Sequence, residues 1–249
     1  MGYREWMSAA LAGGLGLAAW IARRRRLPVW PVLDTLLAAL AVGVVGGRAA
    51  YVGLNWAYFG EHLCEALQWW RGGLMWQAGL ACGLAGAVAY ARVKRLPVRD
   101  ILDACTPGLA LGCGLGWLAC YTASCAYGAP VWPGEPLWFT AADLPDVYGI
   151  REPRVAVQWL GMAWAGMSWL LAYGTQHAAS LRSKDGKQLL QPGAYFALFM
   201  GLYSAGVFAL GFVRGDEIAT IGRLRFDQAA DAVFALVALG YIVYRRDER

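Results

Sequence analysis

Residues 70–83 read WRGGLMWQAGLACG. The stretch lies between a short polar segment and a long apolar one. Two glycines and a lone amide, Gln77, stand where the chain turns apolar. Downstream, the apolar character holds for about 20 residues, the length that one helix needs to cross a bilayer. The same pattern recurs along the chain. Segments 5–22, 31–58, 72–92, 100–127, 155–175, 190–213 and 226–244 each read as a helix of this kind. Composition agrees, because 59% of the residues are hydrophobic and only 16% charged. Soluble domains average about 45–50% apolar and about 25% charged. The expected fold class is therefore an all-α integral membrane protein with seven transmembrane helices, in one polytopic domain over residues 1–249.

The charges are sorted. Basic clusters follow the first segment (Arg23 to Arg26), the third (Arg92, Lys94, Arg95, Arg99), the fifth (Arg182, Lys184, Lys187) and the seventh (Arg245, Arg246, Arg249). Together they hold 14 of the 22 basic residues. The opposite loops carry Glu61, Glu65, Glu135, Asp143, Asp146, Glu152, Asp216 and Glu217. Because basic loops stay in the cytoplasm, the N-terminus is expected outside and the C-terminus inside. The first apolar segment has its positive run after it, not before, so it reads as a retained helix and not as a cleaved signal. The net charge of +5 reflects this sorting, and no nucleic-acid partner is expected.

Residues 129–153 form the longest irregular segment, rich in Pro, Trp and acid. On the outer face they are expected to make a folded cap or an interfacial loop, with Trp132, Trp138 and Phe139 at headgroup level. Glycines recur within the helices at 43–47 and 108–116, a pattern that lets helices approach closely in lipid. The six cysteines include no C-x-x-C pair, and there are two histidines. No metal site and no cofactor are expected. Cys64, Cys120 and Cys125 fall toward the outer face. They read as small apolar core residues, with a disulfide as the alternative.

Polar residues inside apolar stretches carry more information. Arg48 lies in VVGGRAAYVGLNW, Gln77 and Gln158 near helix starts, and Arg214 just after the sixth segment. An arginine at membrane depth costs about 2.5–3.5 kcal/mol on insertion scales, so it normally faces a partner, a cavity or a lipid phosphate. In the expected topology all four positions fall in the outer half of the bilayer, where they can share a polar site. The alternative is that each snorkels or caps a helix independently.

The order of these features resembles the prolipoprotein diacylglyceryl transferase family. Gly72-Gly73-Leu74 resembles the Gly-Gly that precedes the family's His-Gly-Gly-Leu, with Gln77 in the place of the His. Gly46-Gly47-Arg48-Ala49-Ala50-Tyr51-Val52 resembles Gly-Gly-Arg-x-Gly-Tyr-Val. Asp103 to Pro107, then Gly112, Gly114 and Gly116, resembles the entry to the signature helix. Arg151-Glu152-Pro153 resembles Arg-His-Pro, and Pro192-Gly193 with Tyr203 fits the sixth helix. Phe212-Val213-Arg214 resembles Phe-Phe-Arg, and Asp227-Gln228 the Gly-Gln that opens the last helix.

That family moves the diacylglyceryl group of phosphatidylglycerol to a cysteine thiol at the outer leaflet. The resemblance therefore implies a multi-pass protein of the bacterial cytoplasmic membrane with a phosphatidylglycerol-like lipid as partner. The departures fall on the positions that carry the chemistry. Trp117 stands for an Arg, Cys120 and Ala123 for two Asn, and Cys125 for a Glu. Val207 stands for an Arg, Gly211 for a Glu and Met7 for a Tyr. An amide such as Gln77 is no base near neutral pH, and none of the replacements holds a phosphate as an Arg does. The expectation is a catalytically degenerate relative with no catalytic residue assigned. It would bind phospholipid through Arg48, Tyr51, Gln77, Arg151 and Arg214, or serve as a structural subunit beside other membrane protein chains. The alternative is an active phosphatidylglycerol–prolipoprotein diacylglyceryl transferase or another phospholipid-dependent transferase with a changed site, Cys120 or Cys125 being its candidate nucleophile. A transporter is a third class, but the helices offer no acid relay for it.

Overall fold

The computed structural model describes residues 2–182 and 191–247. Lys184, Lys187 and Arg249 of the expected basic clusters lie outside them. The chain begins with α1 (Tyr3–Arg24) and α2 (Val29–Leu54). Two single-turn helices, α3 (Trp56–Phe59) and α4 (Leu63–Ala66), and a 3-10 turn at Trp69–Arg71 lead to α5 (Trp76–Val93). Then come α6 (Val98–Thr122), a hairpin of β1 (Ala141–Pro145) and β2 (Arg151–Val155), and α7 (Val157–Arg182). Next is α8 (Ala194–Leu210), followed by a 3-10 turn at Gly211–Val213 and the small hairpin of β3 (Thr220–Ile221) and β4 (Leu224–Arg225). α9 (Phe226–Asp247) is last. Each of the seven apolar segments thus corresponds to a helix of 17 residues or more. Among the described residues, four spans are long and apolar enough to cross a membrane: Val29–Leu54, Val98–Thr122, Ala194–Val213 and Phe226–Tyr244.

The helix ends differ from the sequence expectation, and each difference has a local cause. α2 stops at Leu54 because Asn55 turns to φ −110° and ψ 32°, and its side-chain amide donates to the Tyr51 carbonyl at 2.8 Å. α5 starts at Trp76 and not at 72 because Gly72 and Gly73 take φ values of 95° and 74°. α6 ends at Thr122 because Cys120 and Cys125 form a disulfide across the next turn. α8 starts after Gly193, whose φ is 89°. The 129–153 segment is not wholly irregular. β1 and β2 pair antiparallel from Ala141 with Val155 to Pro145 with Arg151. The Asp146 carboxylate closes their turn by accepting the Tyr148 and Ile150 N–H groups at 2.8 and 3.0 Å.

The structure divides into two compact units, Ala22–Ile101 and Met1–Ile21 with Leu102–Arg249. In the first, α2 lies along α5 at glycine contacts. A Cβ on Gly43 would lie 2.9 Å from the Gly79 carbonyl oxygen, and one on Gly83 would lie 3.0 Å from that of Ala39. Close approach of this kind replaces the missing hydrophobic drive between helices in lipid. The Met75 N–H then donates to the Gly47 carbonyl at 3.0 Å, which ties the start of α5 to α2.

In the second unit, α8 packs on both α7 and α9, with Tyr195, Phe199 and Val157 fully buried. Asp103 on α6 caps α8 from a distance in sequence. Its carboxylate accepts the Gly193 N–H at 2.8 Å and the Phe196 N–H at 2.9 Å. These donors have no partner within their own helix, and the positive end of the helix dipole favours the negative charge. The 108–116 glycines are only partly a packing face. A Cβ on Gly108 would meet the Gly14 carbonyl oxygen at 2.5 Å, whereas one on Gly112 or Gly116 would have nothing within 4 Å. Gly43→Ala should therefore destabilise the protein by about 1–3 kcal/mol through overpacking, while Gly112→Ala should cause no loss. Thermal unfolding of the detergent-solubilised variants measures both.

Candidate functional site

Arg48, on α2, gathers the carbonyls of the loop that precedes α5. Its Nε donates to Ala66 O at 2.8 Å and its Nη2 to Glu65 O at 2.7 Å. Its Nη1 donates to Gly72 O at 2.7 Å and Gly73 O at 3.0 Å. The loop is built from single turns, and one guanidinium gathers four of its carbonyls. The Arg48 guanidinium also lies 5.6 Å from the centre of the Tyr51 ring and 5.2 Å from that of Phe59. Gly73 fits between them for lack of a side chain, since a Cβ there would be 2.5 Å from Tyr51 and 2.7 Å from Arg48. Nη2 carries two N–H groups and uses one on Glu65, which leaves a donor for an oxygen ligand. Gln77 is buried in the first turn of α5. Arg48, Tyr51 and Gln77 thus belong to one compact unit, and Arg151 and Arg214 to the other.

Arg214 is half-buried in a four-membered ionic cluster. It bonds Asp216 through Nε at 2.8 Å and pairs with Asp227 through Nη1 at 3.0 Å. Arg225 faces the same two acids, at 3.3 Å from Asp216 and 3.0 Å from Asp227. The cluster fixes the β3–β4 hairpin on the start of α9. Burial disfavours the Asp216 carboxylate, but the hydrogen bonds and charge of Arg214, with the charge of Arg225, outweigh it. They hold the group below its usual value of 3.8.

Arg151 lies on β2 and is exposed, paired with Asp143 at 3.2 Å. Its neighbour Arg154 is the buried cation of the hairpin. Arg154 pairs with Asp146 and Glu152, both at 3.1 Å, and stacks over Tyr127 at 5.1 Å. Sequence reasoning missed Arg154 and Arg225, because each stands among acids in a segment that reads as solvated. The one available signal for Arg154 was its position three residues after Arg151, which turns it to the opposite face of a strand.

Trp117 donates its indole N–H to the Tyr203 hydroxyl at 3.1 Å, so it holds a neighbouring helix. Gly211 leaves room for the Gln228 side chain, which a Cβ would meet at 2.3 Å. Cys120 and Cys125 are bonded to each other, while Cys64 is exposed and unbonded. The disulfide alternative thus holds for one pair, because the turn after α6 brings the two Cα atoms within 4.7 Å. Neither sulfur is a free nucleophile in this state. The arrangement offers oxygen-binding donors at Arg48 and no nitrogen base at Gln77.

Comparison with known proteins gives one consistent result. The profile of the family described as prolipoprotein diacylglyceryl transferase matches residues 3–244. The phosphatidylglycerol–prolipoprotein diacylglyceryl transferase of Lactobacillus acidophilus is 26% identical over 246 residues, covering 97% of this chain and 86% of that protein. The protein of the same name from Bacillus licheniformis is 27% identical over 246 residues, with 97% and 88% covered. That from Geobacillus kaustophilus is 26% identical over 245 residues, again with 97% and 88% covered.

Two outcomes follow from this geometry. A lysine cannot reach four carbonyls with one ammonium, so Arg48→Lys should cost about 2–3 kcal/mol and open the 60–74 loop to limited proteolysis. The Asp216 pKa is lowered on folding, so its contribution to stability is complete above pH 3.8 and is lost as the pH falls through the lower folded value. The thermal midpoint should therefore drop more steeply in the wild type than in Asp216→Asn between about pH 5 and about pH 2.

Proposed function

Because the chain belongs to the prolipoprotein diacylglyceryl transferase family, we propose that it is a phosphatidylglycerol-dependent diacylglyceryl transferase with an altered site. The extent of the match, residues 3–244, carries this reading. It acts in the bacterial cytoplasmic membrane as one polytopic domain, with all seven long helices crossing and the N-terminus outside. In the reaction a bond forms between a cysteine sulfur of the client and the diacylglyceryl carbon. The bond from that carbon to the phosphate oxygen breaks.

The residues of the chain take the following parts. Arg48 gives its remaining Nη2 donor to the phosphate, whose negative charge favours a guanidinium partner. Tyr51, whose ring lies beside that guanidinium, lines the headgroup side. Gln77 orients the lipid by hydrogen bonding and takes no proton. The thiol proton therefore leaves to water or to the departing phosphate. Arg151, paired with Asp143, and Arg214, in a cluster of two arginines and two acids, add no net charge and take part as hydrogen-bond donors of the second unit.

A second reading keeps lipid binding and drops the transfer. It is favoured by the Gln at position 77 and by the closed Cys120–Cys125 pair, which leaves no free thiol there. In that case the chain is a phospholipid-binding membrane protein or a subunit of a larger membrane complex. Expression in a strain depleted of its own diacylglyceryl transferase separates the two. Lipidation of a reporter lipoprotein, seen as a mass increase, supports transfer, and Arg48→Ala should abolish it. A well-expressed, correctly inserted protein that leaves the reporter unmodified sinks the transferase reading. Retained phospholipid in that purified protein then supports the second.

A further inference from the structure

α6 ends in a small covalent ring. Cys120 and Cys125 are bonded with a sequence separation of five. Tyr121, Thr122 and Ala123 inside the ring are exposed, and the two cysteines are half-buried. The Cys125 N–H donates to the Cys120 carbonyl at 3.0 Å. Ser124 and Ala126, on either side of Cys125, have φ values of 53° and 51°. Residues with a Cβ seldom adopt these left-handed values, so the turn holds Cys125 against local strain. From the first turn of α7, Gln158 reaches the same place. It is 3% exposed, and its Nε2 donates to the Cys125 carbonyl at 3.0 Å. Its Oε1 has no hydrogen-bond partner among the described residues.

We propose that Cys120–Cys125 is a thiol–disulfide exchange site, opened by a dithiol reductant, and that Gln158 controls how readily it opens. Three observations set this bond apart from a structural staple. The ring is short, and a disulfide stabilises a fold less when the loop it closes is short. The ring is reached from an exposed turn, and accessible or strained disulfides are the reducible ones. Two left-handed residues flank Cys125 and Gln158 Oε1 is unpartnered among the described residues, local strain that opening would relieve. The hydrogen bond from Gln158 to Cys125 opposes opening and acts as the catch.

The exchange balances without any further reactant. A thiolate of the dithiol attacks the Cys125 sulfur, forming a mixed disulfide and breaking the bond to Cys120. Cys120 leaves as a thiolate and takes up a proton. The second thiol of the dithiol, as thiolate, then attacks its partner sulfur in the mixed disulfide and expels Cys125, which is protonated in turn. Two electrons and two protons pass to the cysteine pair, and the dithiol becomes a cyclic disulfide. The inference does not depend on the transferase reading, since neither lipid nor client takes part.

Differential labelling of the full chain in detergent micelles tests it. N-ethylmaleimide first blocks the accessible free thiols. Graded dithiothreitol follows, then a heavier maleimide, with peptide mass spectrometry as the readout. The expected result is two new labels, at Cys120 and Cys125, at dithiothreitol levels that leave the thermal unfolding transition in place. Air oxidation should remove them. Gln158→Ala should open roughly fivefold faster, the effect of losing one ordinary hydrogen bond. New labels that appear only after unfolding, or labelling of these two residues in the first step, would overturn the exchange site. Opening of Gln158→Ala at the wild-type rate would overturn the role of Gln158. Failure of the Cys120→Ser/Cys125→Ser double variant to fold would make the bond a structural staple and end the proposal.

Discussion

A guanidinium withdrawn from water has to be enclosed by acceptors, because an unpaired charge in such a place is far more costly than a paired one. The connections between the helices are organised around this constraint. Arg48 collects four backbone carbonyls and so shapes the loop before α5. Arg154 holds Asp146 and Glu152 and so shapes the β1–β2 hairpin. Arg214 and Arg225 share Asp216 and Asp227 and so shape the entry to α9. A buried ion pair adds little net stability against a well-packed apolar substitute, yet removal of one partner is strongly destabilising. The arginines therefore act mainly by fixing which conformation each loop adopts.

The long helices were legible because an apolar run of this length folds as a helix that satisfies its own backbone polar groups. Their ends were not. Asn55, Gly72, Gly73 and Gly193 end or start helices through backbone angles, and many residues of these types sit elsewhere without doing so. The glycines at 43 and at 112 look alike in sequence. They differ only in what stands opposite, a backbone oxygen for Gly43 and open space for Gly112. Arg48 and Gln77 stood out as polar residues in apolar surroundings. Arg154 and Arg225 did not, because pairing with a nearby acid looks the same in sequence as exposure to water. The Cys120–Cys125 bond depends on a turn whose left-handed residues, Ser124 and Ala126, are of types that rarely adopt such angles.

The family relation and the site details pull in different directions, and the physical content of the tension is specific. The relation covers residues 3–244, so the family's scaffold is kept. At individual positions the structure shows hydrogen bonding and packing. Trp117 anchors Tyr203, Gly211 makes room for Gln228, and Gln77 offers an amide. Arg48 has four of its five N–H donors engaged by backbone carbonyls, so an anion in the proposed site would meet one remaining donor and not a free guanidinium fork.

Asp103 has a bearing on how the protein is made. Its carboxylate and the start of α8 are 90 residues apart in sequence. Ribosomes add about 5–20 residues per second, so roughly 5–18 s pass between the synthesis of the acid and that of the amides it will cap. During that interval α6 exists with an acid awaiting its partners, and α8 has not yet been made. The second unit is therefore completed late in translation. A chain cut short between α6 and Gly193 never forms the cap that Asp103 places on α8.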